Sequence, residues 1–404
     1  MKVLSVIGTR PEAIKLAPVI HELERRAKAS DIQSVICSTA QHREMLDQVL
    51  EVFSIQPDYD LRVMEPDQTP MQVAAGVLNR LEPVLRNEKP DWVLVQGDTT
   101  TVMAAAIAAF YSRCRVGHVE AGLRSFDRLQ PFPEEINRRL ASVVADLHFA
   151  PTELAQANLV REGVPQDRVV VTGNTVVDAL LWAAERPDQP GIGDILNQHT
   201  GTDNAHGYSE GACGPRKRLI LVTAHRRENF GKPIEDICLA LKDIADSHRD
   251  TVHVVYPVHR NPNIWGPVHR ILGGTDNVTL LEPVDYLAMV QLMKSAYLVL
   301  TDSGGIQEEA PTLSKPVLVL RSVTERPEAV EYGTARTVGT DRHRIVSEVD
   351  RLLSDESAYR RMARATSPYG DGKAAERIVS LLLGEHIEPF RIAQSAGGQA
   401  GAVR

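Results

Sequence analysis

Short runs of Val, Ile and Leu recur along the chain, separated by longer stretches in which apolar residues repeat at helical spacing. Such runs are typical of parallel strands buried on both faces, and the stretches between them are typical of crossover helices. The first half is predicted to contain six strands, at residues 3–7, 33–38, 92–95, 116–118, 147–149 and 169–171. The second half is predicted to contain six more, at residues 219–223, 252–256, 278–281, 297–301, 317–320 and 335–338. The pattern predicts an α/β protein with two parallel sheets.

This repetition indicates two Rossmann-like domains, each with a doubly wound parallel sheet. We expect the first domain over residues 1–176 and the second over residues 177–367. The stretch at about 187–217 is rich in Pro, Gly, Asp and Asn and reads as an insertion. A last helix is predicted over 374–383, so the segment 368–385 is expected to pack back on the first domain. The small and polar residues of 386–404 predict a flexible tail.

Composition excludes several classes of protein. The chain has 404 residues, of which 43% are hydrophobic and 24% charged, which fits neither a disordered nor a fibrous protein. A formal charge of −8 argues against nucleic acid or an anionic membrane as a partner. The apolar stretch 102–111 is far shorter than the ~20 residues of a membrane span. Four scattered cysteines and an N-terminus without a signal peptide favour a cytoplasmic location.

Polar residues follow most of the predicted strands, at the edge where parallel sheets bind ligands. Arg10 and Lys15 lie near the start of the first helix, where they fit either a bound diphosphate or an ordinary solvated helix start. Asp98 is a candidate carboxylate or only a helix cap, and Glu134 is a candidate carboxylate or only a first-turn residue.

The segment beginning Asp302-Ser303-Gly304-Gly305 joins a strand to a helix and is a candidate anion loop. Ser303 can cap this helix, and the two glycines permit close approach of a phosphate to the helix start. Glu309, further along the same helix, could accept hydrogen bonds from ribose hydroxyls. A capped helix with acidic residues is the alternative, but the many basic strand ends favour a nucleoside diphosphate.

Two other kinds of site have little support. No GxGxxG segment follows the first strand, so a redox dinucleotide is weakly supported. No HxxH or HExxH spacing indicates a metal. We therefore expect neither a cofactor nor a metal.

Nine segments, taken in order, carry a resemblance to a known family. They are GTRPEAIKLAPV, TAQHREMLDQVL, VQGDTTT, HVEAGLRS, PFPEEINRR, TGNTVVDAL, VTAHRREN, TDSGGIQEEAP and KPVLVLRSVTERPEA. From residue 2 to about 383 the chain closely resembles the non-hydrolysing bacterial UDP-N-acetylglucosamine (UDP-GlcNAc) 2-epimerases. The resemblance implies two Rossmann-like domains facing a central cleft, as in GT-B glycosyltransferases, and a homodimer.

The resemblance also implies a reaction. UDP-GlcNAc and UDP-N-acetylmannosamine (UDP-ManNAc) are interconverted by anti elimination of UDP, through 2-acetamidoglucal, and re-addition, which supplies ManNAc units for cell-surface polysaccharides. No redox cofactor takes part. Matching positions make Asp98, Glu120 and Glu134 the carboxylates that move the C2 proton, with His225 assisting the leaving diphosphate. The implied substrate-binding residues are Arg10, Lys15, Arg138, Ser303, Gly304, Gly305 and Glu309.

Some members of the family are activated by a second UDP-GlcNAc molecule beside the active site. The matching positions here are Gln41, His42, Gln68, Arg226 and His259. Acidic Glu44 and Asp67 lie close to these positions in sequence, and negative charge weakens diphosphate binding. The resemblance favours such activation, and these charges argue against it.

Four alternatives to this function stay open. A hydrolysing epimerase would release ManNAc and UDP, and a GT-B glycosyltransferase would need an acceptor pocket. A non-catalytic UDP-sugar sensor would bind without turnover, and a UDP-diacetamido-uronic acid would be a related substrate. The full set of candidate carboxylates argues against the glycosyltransferase and the sensor.

Overall fold

A computed structural model describes residues 1–28, 30–39, 43–65, 68–187, 189, 191–194, 196, 217–324 and 326–392. The chain divides into two compact units. Unit 1 comprises Met1–Leu181 and Tyr369–Arg391, and unit 2 comprises Trp182–Pro368 and Ile392–Arg404. Most of the expected insertion at 187–217 and the end of the expected tail lie outside the described residues.

The sheet of unit 1 is parallel, with the described strands in the order β3-β2-β1-β4-β5-β6-β7. The strands are β1 (Lys2–Ile7), β2 (Gln33–Ser38), β3 (Tyr59–Asp60), β4 (Trp92–Gln96), β5 (Arg115–Val119), β6 (Leu147–Ala150) and β7 (Val169–Val171). The six predicted strands are confirmed to within one residue at each end. The two-residue edge strand β3 was not predicted, because Tyr59–Asp60 contains no apolar run.

Helices cover both faces of this sheet. They are α1 (Arg10–Ala27), α2 (Arg43–Val52), α3 (Pro70–Glu88), α4 (Thr100–Tyr111), α5 (Glu134–Val144), α6 (Glu153–Arg161) and α7 (Thr175–Ala184). The apolar stretch 102–111 belongs to α4, which packs against α3 and α5 and buries small residues such as Ala104 and Ala105. None of the described helices is both long enough and apolar enough to span a bilayer.

Unit 2 repeats this plan, with its described strands in the parallel order β10-β9-β8-β11-β12-β13. The strands are β8 (Arg218–Thr223), β9 (Val252–Pro257), β10 (Val278–Leu281), β11 (Leu298–Thr301), β12 (Val317–Val319) and β13 (Ala335–Thr337). The helices from residue 217 onward are α8 (Lys232–Ser247), α9 (Pro262–Leu272), α10 (Tyr286–Ser295), α11 (Gly304–Thr312), α12 (Pro327–Glu331), α13 (Arg342–Ser354) and α14 (Glu356–Ala363). The predicted fold class, α/β with two Rossmann-like parallel sheets, is confirmed.

The last helix, α15 (Ala374–Leu382), packs on α1 within unit 1. It has no capping side chain of its own, and Asp178 of α7 accepts hydrogen bonds from the backbone N–H groups of Ala375 (2.8 Å) and Ala374 (3.3 Å). The expected tail begins later than residue 386. The N–H of Phe390 donates to the carbonyl of Val171 at 2.8 Å, and its ring is buried, because an aromatic side chain gains free energy by leaving water.

Candidate active site

Each sheet reverses its strand order at one point, between β1 and β4 in unit 1 and between β8 and β11 in unit 2. The helices that follow these neighbouring strands leave toward opposite faces, which opens a crevice at the carboxyl ends of the strands. Open parallel sheets bind ligands at this position. It is occupied in unit 1 by the residues that follow β1 and β4, and in unit 2 by the residues that follow β8 and β11.

Turns after three strands of unit 1, at the carboxyl edge of its sheet, use left-handed backbone conformations. Gly97 after β4 has φ 85°, and Gly173 after β7 has φ 83°. Glu120 after β5 has φ 61°, a region that costs a residue with a Cβ about 1–2 kcal/mol. A strained conformation of this kind persists only where the surrounding contacts fix it.

Three donors from separate elements hold the carboxylate of Glu120. Lys15 Nζ in α1 lies 2.5 Å from its Oε1, and Asn174 Nδ2 donates to the same oxygen at 3.0 Å. Gln96 Nε2, at the end of β4, donates to Oε2. The resemblance implied that Lys15 holds a diphosphate. In this structure Lys15 contacts the carboxylate of Glu120, and the implied diphosphate contact stays a prediction.

Asp98 forms an ion pair with Arg138 Nη2 of α5. Helix α4 is capped by Thr99, whose Oγ1 accepts from the N–H of Val102 at 3.3 Å. The alternative that Asp98 is only a helix cap is therefore wrong. Burial raises the pKa of Asp98, and the charge of Glu120 raises it further, while Arg138 opposes both. The two carboxyl groups thus lie within range of each other's charge.

The two glutamates in the first turn of α5 have different surroundings. Glu135 is buried and accepts from the backbone N–H groups of Ser125 (3.0 Å) and Phe126 (3.2 Å). Glu134 has a buried Oε2 that finds no hydrogen-bond partner among the described residues. Buried acceptors are nearly always satisfied, so this oxygen is available to a ligand. The first-turn position is confirmed for both residues, but only Glu135 is fully used by the fold.

A further buried carboxyl group, that of Glu12, is not predicted from the sequence. It is buried and accepts from the N–H of Gly8 (2.5 Å) and from Thr99 Oγ1 (2.7 Å), so it ties the turn after β1 to the turn after β4. Burial raises its pKa to about 7. The available signal was its position three residues after Thr9, the spacing of a capping box. Arg10, the first residue of α1, is partly exposed.

In unit 2, the fully buried Asp302 organises the turn after β8. Its Oδ2 accepts from the N–H groups of His225 and Arg226, both at 2.8 Å, and from Asn229 Nδ2 at 2.9 Å. Sequence reasoning placed Asp302 in the anion loop and assigned it no role, because its partners lie about 75 residues earlier in the chain. The two backbone hydrogen bonds to Asp302 fix the main-chain positions of His225 and Arg226, from which their side chains extend.

Two arginine side chains lie at the start of α11. A Cβ at Gly304 would lie 3.6 Å from Arg226 Nη2 and 3.9 Å from Arg326 Nη2, so two guanidinium groups border this helix start. Arg326 was not singled out in the sequence, although it belongs to the ERPEA segment. The expectation that Ser303 caps α11 is wrong, because its side chain makes no capping hydrogen bond. Its N–H donates to Thr301 Oγ1 at 2.9 Å.

His225 lies beside Asp302, with Nδ1 3.7 Å from Oδ1, and its ring stacks on that of His259 with centroids 5.7 Å apart. Burial lowers the pKa of His225, Asp302 opposes this, and the charges of His259 and Arg226 lower it further. The imidazole is therefore neutral near pH 7.

Of the remaining predicted ligand-binding residues, some lie in the described part of the chain and others do not. Glu309 is buried in α11, with Oε2 3.9 Å from the Cβ position of Gly305. Gln68 Nε2 donates to the carbonyl of Val63 at 3.0 Å. Gln41 and His42 lie outside the described residues, so the second nucleotide site stays a prediction. Within the described part of the chain, no group of three or more His, Cys, Asp or Glu residues is arranged to hold a metal.

Two Rossmann-like units with polar residues at both switch points define a two-unit α/β protein of the nucleotide-binding type. A family model described as UDP-N-acetylglucosamine 2-epimerase matches residues 24–383. The UDP-N-acetylglucosamine 2-epimerase of Escherichia coli K12 is 54% identical over 387 residues, which cover 96% of this chain and 100% of that protein. This chain therefore belongs to the UDP-N-acetylglucosamine 2-epimerase family, whose name describes an isomerase.

Solved structures agree with this assignment. The crystal structure of UDP-GlcNAc 2-epimerase from Neisseria meningitidis bound to UDP-GlcNAc has a TM-score of 0.84 at 48% identity, covering 95% of this chain and 100% of that one. The Methanocaldococcus jannaschii enzyme in complex with UDP-GlcNAc and UDP has a TM-score of 0.76 at 36% identity, with 95% and 100% coverage.

Proposed function

We propose that this chain interconverts UDP-GlcNAc and UDP-ManNAc by anti elimination and re-addition of UDP. The observation that carries the proposal is the carboxyl pair Asp98 and Glu120. These groups follow the neighbouring strands β4 and β5, and each has its own cation, Arg138 and Lys15 respectively. Carboxyl groups in different environments suit a reaction that removes a proton at one face of a carbon and returns it at the other.

The chemistry sets the requirements for the site. A carboxylate takes the C2 proton, the electron pair of that C–H bond forms the C1–C2 double bond, and the C1–O bond breaks to release UDP. The intermediate is 2-acetamidoglucal. Re-addition reverses these steps, with the proton delivered to the opposite face of C2. Positive charge develops at C1 and negative charge on the departing diphosphate, so carboxylates are needed at the sugar and donors at the phosphates.

Unit 1 supplies the carboxylates in this proposal. Burial raises the pKa of Asp98, which suits a group that carries a proton, while the ammonium of Lys15 favours the charged form of Glu120. Glu134 offers a buried oxygen that has no partner among the described residues, and it is the third carboxylate at the sugar. Arg138 pairs with Asp98, and its Nη1 lies 3.5 Å from Glu135 Oε2. Arg138 therefore positions the carboxyl group of Asp98.

Unit 2 supplies the phosphate-binding groups. The N-terminus of α11 carries partial positive charge and has no side-chain cap, and glycine at position 304 permits close approach of an anion. Arg226 and Arg326 border this point. We assign phosphate binding in unit 2 to Ser303, Gly304 and Gly305, and Arg10 in unit 1 stays a predicted phosphate ligand. Glu309 is assigned to the ribose hydroxyls, and neutral His225 to a hydrogen bond with the leaving diphosphate.

We also propose a cytoplasmic homodimer. Cys37 and Cys238 are free and buried, and burial raises the pKa of both thiols to about 12, which keeps them protonated and unreactive. Reduced thiols and a UDP-sugar substrate fit the cytoplasm. The dimer rests on the family resemblance, and sedimentation of the purified protein tests it.

Separation of the products by anion-exchange chromatography tests the reaction. Purified protein incubated with UDP-GlcNAc should yield UDP-ManNAc until the two reach a constant ratio, with no accumulation of free UDP. Starting from UDP-ManNAc, the mixture should reach the same ratio. Accumulation of UDP and free ManNAc would replace this proposal with a hydrolysing epimerase. An unchanged substrate would contradict catalysis of this reaction.

A further inference from the structure

Asn174 lies between β7 and α7, directly before the first residue of α7, and the sequence assigns it no role although it lies in the TGNTVVDAL segment. It is 2% exposed, and its side-chain amide is used at both ends. Oδ1 accepts from the N–H of Val176 at 3.1 Å, and Nδ2 donates to Glu120 Oε1 at 3.0 Å. The backbone donor at Val176 requires an oxygen opposite it, which fixes the orientation of the amide and aims its NH₂ group at Glu120.

The backbone of Asn174 is fixed as well. Its N–H donates to the carbonyl of Tyr369 at 2.6 Å, and Tyr369 is the first residue of the segment with which the chain returns to unit 1. Gly173 precedes it with φ 83°, and a Cβ there would lie 3.2 Å from Gly370 Cα. The position of the Asn174 amide is therefore set by α7 on one side and by the returning segment on the other.

Glu120 needs such support because its backbone is strained and its carboxylate must keep one orientation to act at one face of a sugar carbon. Lys15 alone gives a charge contact through a flexible stem with several rotamers. A buried amide with both ends bonded adds a directional contact to the same oxygen.

The geometry points to Asn174 as a positioning residue that fixes the carboxylate of Glu120 for proton transfer. This inference rests on the catalytic role proposed for Glu120 above. Asn174 does not itself move a proton. It sets the direction of the Glu120 oxygen and stabilises the charged carboxylate by one hydrogen bond.

Asn174→Asp tests the positioning role. The substitution keeps the oxygen that accepts a hydrogen bond from the N–H of Val176, so the start of α7 is preserved. It replaces the NH₂ donor by a second acidic oxygen facing Glu120. The other titratable groups whose charges act around Glu120 are Lys15, Asp98 and His118. None of these is changed by the substitution.

We expect kcat of Asn174→Asp at pH 7 to fall at least about tenfold, with KM for UDP-GlcNAc changed by less than about threefold. A second negative charge favours the protonated form of Glu120, so the limb of the pH–kcat profile that Glu120 controls should move to higher pH. Asn174→Ser, which can keep the cap but cannot reach Glu120, should lower kcat with a smaller displacement of that limb. Asn261→Asp is the matched control, because Asn261 caps α9 through Asn263 and contacts no carboxylate in the described structure.

Glu120→Gln, measured in parallel, distinguishes the positioning role of Asn174 from the catalytic role of Glu120. If Glu120→Gln loses turnover while Asn174→Asp keeps the wild-type kcat and pH profile, the positioning role is contradicted and the proposed function stands. A fall in kcat of Asn174→Asp with an unmoved profile would indicate a purely structural role and also contradict the inference. Wild-type turnover in Glu120→Gln would overturn the catalytic role of Glu120 itself.

Discussion

Lys15 Nζ lies 2.5 Å from Glu120 Oε1, although 105 residues separate the two in the chain. The side chains are 15% and 5% exposed, so the pair is largely withdrawn from water. An ion pair in such surroundings depends strongly on both members, because removal of one leaves a buried charge without a partner. The contact links the first helix to the carboxylate at the end of β5, and the proposed chemistry depends on it.

Lys15→Met tests this contact. It should lower the free energy of unfolding by about 3–5 kcal/mol, because the carboxylate of Glu120 is then buried without its cation. Turnover should fall by more than about tenfold, because Glu120 is more readily protonated without the ammonium. Urea denaturation measures the first effect, and the initial rate with UDP-GlcNAc measures the second.

Lys2→Met is the matched control for that variant. Lys2 pairs with Glu88 at 2.8 Å at the opposite end of β1, and both side chains are more exposed than those of the Lys15 pair. The control should lose about 1 kcal/mol or less and keep its turnover. Equal losses of stability and activity in the two variants would show that the Lys15 contact has no special role.

Asp98→Asn and Glu134→Gln test the proposed carboxylates. Each should reduce turnover by about 10²–10⁴-fold, because each removes a group that transfers a proton or stabilises charge at the sugar. UDP affinity, measured by calorimetry, should stay within a few-fold of wild type. The control for the second variant is Glu153→Gln, an exposed first-turn glutamate of α6 that should have no effect. Wild-type rates in Asp98→Asn and Glu134→Gln would refute the assignment.

Gly304→Ala tests the anion site at the start of α11. The new methyl group would meet only ordinary contacts, the nearest at 3.6 Å from Arg226, so the fold should tolerate it. It would occupy the place where a phosphate oxygen approaches the helix, and UDP should bind about tenfold or more weakly, a loss of about 1.4 kcal/mol. Gly266→Ala in α9 is the control, since no other described atom lies within 4 Å of its Cβ position. Equal UDP affinity in both variants would move the phosphate site elsewhere.

Strand positions could be predicted closely because strands of a parallel sheet are buried on both faces and therefore consist of continuous apolar runs. β2 (Gln33–Ser38) and β7 (Val169–Val171) match their predictions at both ends. The edge strand β3 could not be found this way. Its two residues pair with the end of β2 through backbone hydrogen bonds, which any sequence can supply.

The site was predictable only in part. Asp98 and Glu120 both follow predicted strands, whose carboxyl ends share one edge of the sheet, but it was the family resemblance that indicated them as the reacting carboxylates. Their partners could not be predicted, because the contacts depend on strand order, which places β5 next to β4 and brings Lys15 to Glu120. Sequence also gave no sign that Glu120 adopts a left-handed conformation or that Asn174 supports it.

The buried histidine His148 predicts a sensitivity to acid. Burial lowers its pKa to about 3, whereas in the unfolded chain it titrates near 6.5. The unfolded state therefore binds more protons between these values, and the free energy of unfolding falls as pH decreases through this range. Between pH 7 and 5 the loss from this residue is about 2 kcal/mol.

His148→Gln removes that titration, so its stability should fall less steeply with acid than that of wild type. Urea denaturation at pH 7 and pH 5 measures the difference. Other buried acids, such as Glu12 and Asp178, contribute equally to both proteins and cancel. Parallel stability curves for the two proteins would contradict a neutral buried imidazole.

The most direct test of the proposed mechanism is proton NMR of the purified enzyme with UDP-GlcNAc in deuterated water. The mechanism predicts UDP-ManNAc with deuterium at C2 and, with time, deuterium at C2 of the remaining UDP-GlcNAc, because the proton removed by a carboxylate exchanges with solvent. Retention of the C2 proton in both sugars would contradict proton transfer through Asp98, Glu120 and Glu134.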